Sequence, residues 1–385
     1  MRSARWCFVA LLCAGSAGCE RSAAQRHCRL GPEHTVALSA AKDFDGIALV
    51  ASGPGAIAFW SEPSGLYAQR LSALGSVEGA RARIGARCEG GLDALARPDD
   101  GGVDLACLLQ PTRGKHEEAG GLLRLALSRQ LKPSARALLG SAGALSEGVA
   151  LARTAAGLEL VWHDGAADSQ GVWWLALAGD DAPRGAPLQL SEPGRVASAP
   201  SLALAPDGSS MATWAETWVE GEGLHSRIVE WTRAAGTRTL HQVGNYAAMP
   251  KLIAHNGRLV LAFRDHREGE KTGLYVAPLG ATGLLNAPVR VGRADGTGRP
   301  ALVACMGGLV SATPRTYGGD YFIGINWLDA QLERSRGEQQ FYEDSHAFTH
   351  VAASCQGGHA LLFIGEFPQL TRPTAALRAV SYTCP

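Results

Sequence analysis

The chain has 385 residues, and its 36 Lys plus Arg balance 36 Asp plus Glu, so no net field favours nucleic acid or an anionic membrane surface. Apolar residues make up 46%, enough for a packed core, while 48 Gly beside only 9 Phe, 9 Trp and 7 Tyr point to many tight turns between short elements. Composition therefore excludes a disordered chain and argues against a nucleic-acid partner, without naming a ligand or a reaction.

Residues 1–19 begin with Arg2 and Arg5, continue through the apolar stretch Trp6 to Cys13, and end in the small-residue run Ala14-Gly15-Ser16-Ala17-Gly18-Cys19. This is the pattern of an export signal, with an apolar core too short to span a bilayer. The tail Ser16-Ala17-Gly18-Cys19 resembles the lipobox of bacterial lipoproteins, with Ser16 where that motif usually has Leu. The resemblance implies lipidation of Cys19 after cleavage, and Glu20 in the next position is similar to outer-membrane lipoproteins. The expected location is the cell envelope, as an outer-membrane lipoprotein or otherwise periplasmic or extracellular, with the lipid as the only membrane attachment. Residues 20–32 are expected to be a linker.

Beyond the signal and Cys19, six cysteines remain: Cys28, Cys88, Cys107, Cys305, Cys355 and Cys384. An even number in an oxidising compartment points to three disulfides, and none of the six has the company a metal site needs, so no metal is expected.

The rest of the chain repeats. Apolar strand-like segments end at anchors 60, 108, 162, 214, 263, 313 and 363, spaced by 48, 54, 52, 49, 50 and 50 residues, which makes seven units. Within a unit, a first strand such as Lys251-Leu252-Ile253-Ala254 meets a turn such as Asn256-Gly257 and returns as the anchor strand, a hairpin signature. A third strand follows, seen as Gly65-Leu66-Tyr67-Ala68 or Gly273-Leu274-Tyr275-Val276, and then a weaker fourth. Pro200, Pro250 and Pro300 stand in register before three of the first strands, where a missing N–H matters little. Short antiparallel strands at this period, with no helix-period segment, predict an all-β, seven-bladed β-propeller over residues 33–385, its blades spanning about 42–385.

The last unit ends after its third strand, whereas Thr35-Val36-Ala37-Leu38 belongs to no unit. A closing strand over 33–41 beside the strand around Val380 would complete the ring and bring Cys28 near Cys384. Cys305 and Cys355 occupy equal places in successive first strands, and Cys88 and Cys107 flank one turn of blade two. These three pairings are suggested among the fifteen that six cysteines permit. The whole looks like a secreted bacterial seven-bladed propeller. Its resemblance to sialidase-like propellers is distant: the nearest string to their Asp-box, Asp207-Gly208-Ser209-Ser210-Met211-Ala212-Thr213-Trp214, has different spacing and lies in a first hairpin.

Candidate chemistry concentrates in the loops of blades five to seven. Ligand-binding candidates are Arg264, Asp265, His266, Arg299, Arg315, Tyr317 and Tyr342, with His350 nearby. Three of them, Arg264, Arg299 and Arg315, are expected to converge on an anion, because guanidinium forks bind carboxylate or phosphate. Candidate acid/base groups are Asp320, Glu343, Asp344 and His346. The competing reading pairs these charges with each other, Arg264 with Asp265 or Glu343 and Arg315 with Asp320. An acidic residue follows the anchor in five blades, at Glu62, Asp164, Glu216, Asp265 and, one position later, Glu366, and is expected to accept backbone N–H groups. No nucleophile elbow, zinc-protease pair or phosphate loop is present, and nothing calls for a cofactor. The sequence thus reads as an extracytoplasmic binding or interaction scaffold for a protein or carbohydrate partner, the alternative being a glycosidase-like or lyase-like enzyme on an anionic carbohydrate.

Overall fold

The structure of the protein, a computed structural model, describes residues 28–39, 44–109, 120–140, 148–165, 170–179, 181–243, 246–266, 272–294, 298–317, 320–334, 338–342, 347–367 and 374–384. Each repeat folds into one antiparallel sheet of consecutive strands, seven sheets in all, and among the described residues there is no helix. The first strands are Gly46–Ser52, Leu92–Ala96, Val149–Thr154, Val196–Leu204, Tyr246–His255, Ala301–Cys305 and Ala347–Gln356. Each touches the first strand of the next sheet, and the seventh touches the first, so they form the inner wall of a closed ring. The fold is therefore a seven-bladed β-propeller. Blade 5 carries an extra two-residue strand, Gly283–Leu284, because its third strand Gly273–Gly280 pairs with it and also with Val289–Arg293.

The anchors explain why the blades pack. Trp60, Leu108, Trp162, Trp214, Phe263, Thr313 and Phe363 lie on second strands and are at most 2% exposed. A second strand is flanked by neighbouring blades on both faces, so it is apolar at both parities instead of alternating with polar residues. In blade 1, Ile57 and Phe59 face blade 2, whereas Ala58 and Trp60 face blade 7. Seven apolar clusters result, one at each blade interface. Truncating one of the fully buried Trp anchors is expected to cost about 3–5 kcal/mol.

The ring closes as the unpaired N-terminal segment requires. Strand Arg29–Ser39 runs antiparallel to Ala375–Thr383, with Glu33 opposite Val380 and Ala37 opposite Leu377. This strand begins at Arg29 and not at 33, so the end of the expected linker is part of the sheet. Arg378 fixes the seam from within by pairing with both Glu33 and Glu366. Disulfides join Cys28 to Cys384, Cys88 to Cys107 and Cys305 to Cys355, the three pairings suggested by ring closure, by the turn of blade two and by equal repeat position. The signal-like segment and Cys19 lie outside the described residues.

Candidate functional site

Because each blade enters the ring at the same point, one residue per repeat stands at the mouth of the axis. Standing at or just before the start of the inner strand, or at an irregularity within it, these are Gly46, Gly91, Gly148, Ala199, Met249, Arg299 and His350. All but Ala199 line a cavity of about 410 Å³. At this position blades 1 to 3 offer bare backbone, with the Asp45 carboxylate of blade 1 beside it, blade 5 a thioether, and blades 6 and 7 a guanidinium and an imidazole.

The glycines are needed for this arrangement. Gly148 has a φ of 78°, in the left-handed region, and a Cβ there would stand 2.8 Å from Cζ of Arg299. Arg299 therefore reaches from blade 6 across the axis and lies against the backbone of blade 3. At Gly91 a Cβ would meet the Cα of Gly148 at 2.7 Å, and the Gly148 N–H donates to the Gly90 carbonyl, so the wall opposite Arg299 is packed backbone on backbone.

Burial, reinforced by the neighbouring charge of Arg299, lowers the His350 pKa to about 4, and Asp45 only partly opposes this. At neutral pH the mouth thus holds a charged guanidinium beside a neutral imidazole. The Asp45 carboxylate is itself engaged: Arg87 donates to it through Nε at 2.6 Å and Nη2 at 2.9 Å. Below the mouth lies a second cavity of about 180 Å³ that shares Arg299 with the first. Its wall carries Asp93 and Lys251; burial raises the Asp93 pKa against the opposing effects of Lys251 and of the Leu151 N–H, which donates to Oδ2 at 2.9 Å. Among the described residues, no group of three or more His, Cys, Asp or Glu is placed to hold a metal ion.

Of the residues singled out in the sequence, Arg299 and His350 reach the axial cavity. Arg264 is buried behind it, with Nη1 3.4 Å from the Met249 Sδ. Asp265 is fully buried, with His241 Nε2 3.1 Å from Oδ2, and the exposed His266 has its Nδ1 3.2 Å from Thr272 Oγ1. Arg315 is buried, paired with Glu338 and stacked 4.7 Å over the Phe322 ring. Tyr317 and Asp320 are register partners at the ends of strands Gly308–Tyr317 and Asp320–Leu328, and Tyr342 ends strand Gln339–Tyr342 in register with Phe322. Glu343, Asp344 and His346 lie outside the described residues.

The recurrent carboxylates are buried, and several are held by side chains more than by the backbone N–H groups expected. Glu216 takes Nε and Nη2 of Arg227 at 2.9 and 2.6 Å and the Trp214 indole N–H at 2.8 Å, with the Glu192 backbone N–H at 3.4 Å. Glu62 takes the Ser64 hydroxyl, Asp265 faces His241, and Glu366 pairs with Arg378. Sequence reading passed over the glycine wall, Asp93 and Lys251, whose signal is the alignment of the seven repeats at one inner-strand position.

No protein-family model matches the chain. No curated protein matches it in sequence. Among solved structures, the chain is similar to the polysaccharide lyase Uly1, at 9% identity and a TM-score of 0.53 over 91% of this chain and 99% of that one. It is equally similar to a protein of unknown function from Dyadobacter fermentans DSM 18053, at 10% identity and a TM-score of 0.52 over 93% and 99% of the two chains. A Trypanosoma rangeli sialidase aligns more loosely, at 9% identity and a TM-score of 0.44 over 89% and 55%. At these identities the likeness is one of fold.

Proposed function

We propose that the protein is an extracytoplasmic binding protein that takes a small anion, a carboxylate or a comparable oxyanion, in the axial cavity. The observation that carries this reading is Arg299, extended across the axis onto the Gly148 backbone and lining a cavity of about 410 Å³. A guanidinium fork matches carboxylate and phosphate geometry, and the glycine wall lets a ligand lie close to backbone. Neutral His350 adds a hydrogen-bonding group without a second charge. Recognition is favoured over hydrolysis because Asp45, the carboxylate that lines the mouth among the described residues, is occupied by Arg87. Three disulfides and the signal-like residues 1–19 support export, with Cys19 as the anchor.

The test is calorimetric titration with acetate, benzoate, sulfate and phosphate, and with choline as a cationic control. At least one anion should bind, and Arg299→Ala should weaken it tenfold or more, since hydrogen bonds to charged groups contribute about 1.5–3 kcal/mol. Anion binding untouched by the substitution, or a preference for choline, contradicts the proposal.

His350 favours a second reading. A neutral imidazole beside a guanidinium places a base next to the group that would acidify a C–H bond adjacent to a bound carboxylate, which is the chemistry of a lyase. Release of an unsaturated, ultraviolet-absorbing product from an acidic glycan, abolished by His350→Ala, would support it.

A further inference from the structure

The lower chamber is unlike the mouth above it. Its charged lining side chains, among the described residues, are Asp93, Lys251 and Arg299, and much of the remaining wall is aliphatic or proline, including Pro200, Pro250 and Pro300, which have no N–H to donate. Asp93 lies on the first strand of blade 2 and Lys251 on that of blade 5, well apart around the ring. The two interact electrostatically without a direct ion pair between them among the described residues. Asp93 gives one oxygen to the Leu151 N–H at 2.9 Å, which leaves further acceptor capacity. Lys251 brings up to three donors.

A carboxylate and an ammonium set apart in one narrow chamber are both costly unless something satisfies them. The chemistry of the two selects what that is. A second anion would be attracted to Lys251 and repelled by Asp93, and an amine the reverse. An apolar arm would leave both desolvated. A hydroxyl group is donor and acceptor at once, so it can receive from Lys251 and give to Asp93. At about 30 Å³ per water, 180 Å³ is the space of about six waters, enough for a short diol arm below a carboxylate held at Arg299.

We infer that the axial ligand is a polyhydroxylated carboxylic acid, of the sugar-acid class, with its carboxylate at Arg299 and its hydroxyl groups read by Asp93 and Lys251. This rests on the anion-binding reading above and adds to it the class of molecule. The six inner-wall residues shared by the two cavities, Ile47, Leu92, Val149, Met249, Arg299 and Val351, place the two ends of such a molecule side by side.

The experiment is titration of the intact protein with D-gluconate and D-glucuronate against hexanoate and cyclohexanecarboxylate, acids of similar size without the hydroxyl groups. The hydroxylated acids should bind at least tenfold more tightly, and Lys251→Met should bring that ratio close to one. Asp93→Asn, which keeps the shape of the side chain, should narrow the ratio as well, and it serves as the second variant if Lys251→Met does not fold. Arg299→Ala should weaken all four acids. Equal affinity for the two kinds of acid, both still dependent on Arg299, overturns this inference and leaves the anion site standing. No binding of any acid overturns the anion site and this inference with it.

Discussion

Charged side chains in this propeller fall into two populations, those inside the blades and those on the axis. Inside, several guanidinium groups are closed by carboxylates of their own or an adjoining blade. Arg124, 2% exposed, lies between Asp104 at 2.6 Å and Asp181 at 2.5 Å, and Arg227 forks onto Glu216. Arg315 meets Glu338, and Arg378 meets Glu33 and Glu366. On the axis, Arg299, His350, Asp93 and Lys251 line open cavities. The difference teaches that residue type alone does not separate structural from functional charge. Strand register does, because it decides whether a side chain enters the sheet interface or the channel.

The strongest way to break that contrast is to remove a carboxylate from a blade interior. Asp104 is fully buried and serves Arg124, Arg153 and, at 3.8 Å, Arg97. Asp104→Ala removes the buried carboxylate these cations share, leaving Arg124 only the Asp181 carboxylate and Arg97 only that of Asp100 among the described residues, and should lower unfolding stability by about 3–5 kcal/mol in urea. A loss under about 1 kcal/mol would mean that the interior pairs hold nothing together.

The second expectation concerns His350, an axial group whose titration reports on its burial. Its pKa of about 4 lies below the ordinary 6.5, so on acidification the unfolded chain takes the proton first. Stability contributed by the neutral form is present above about pH 6.5 and lost as the pH falls toward 4, by roughly 3 kcal/mol in total. Arg299 reinforces this and Asp45 opposes it. Denaturation at pH 7 and pH 4.5 should show wild type losing more stability than His350→Gln; parallel losses would refute the assignment.

Much of this architecture is legible in the chain. The period near fifty, the apolar runs at both parities and the orphan segment around Val36 predict seven blades and their closure. Ring closure, one blade-two turn and equal repeat positions each suggest one cysteine pair. The site is less legible, for physical reasons. Arg264 and Arg315 follow anchors at Phe263 and Thr313 and look like loop residues, but strands Arg258–His266 and Gly308–Tyr317 continue past them and carry them into the blades. Irregular register between Ala248 and Lys251 and between Phe348 and His350 hides which residues face the axis. The glycine wall has no side chain to draw notice, although it shapes the cavity.

A third expectation sharpens the role of that wall. Gly148→Ala should displace Arg299 and weaken anion binding about tenfold, or about 1.4 kcal/mol. Gly53→Ala is the control, since its φ of 58° imposes similar backbone strain but a Cβ there meets nothing within 4 Å. Equal effects of the two on binding would show that strain, and not Arg299, is being measured. The smallest effect expected is on stability: Arg299→Ala should shift the urea midpoint by the equivalent of no more than about 1 kcal/mol, against the large loss at Asp104. A shift as large as that at Asp104 would make Arg299 a structural residue.

The account turns on an anion at Arg299, and the most direct measurement is the anomalous signal of bromine in crystals soaked with 4-bromobenzoate, whose aryl bromide does not alkylate Met249 or His350. A bromine peak on the axis, with the carboxylate on the Arg299 guanidinium, is expected in wild type and should vanish in Arg299→Ala crystals. Bromine found only at the rim, or an axial peak that persists without Arg299, would contradict it.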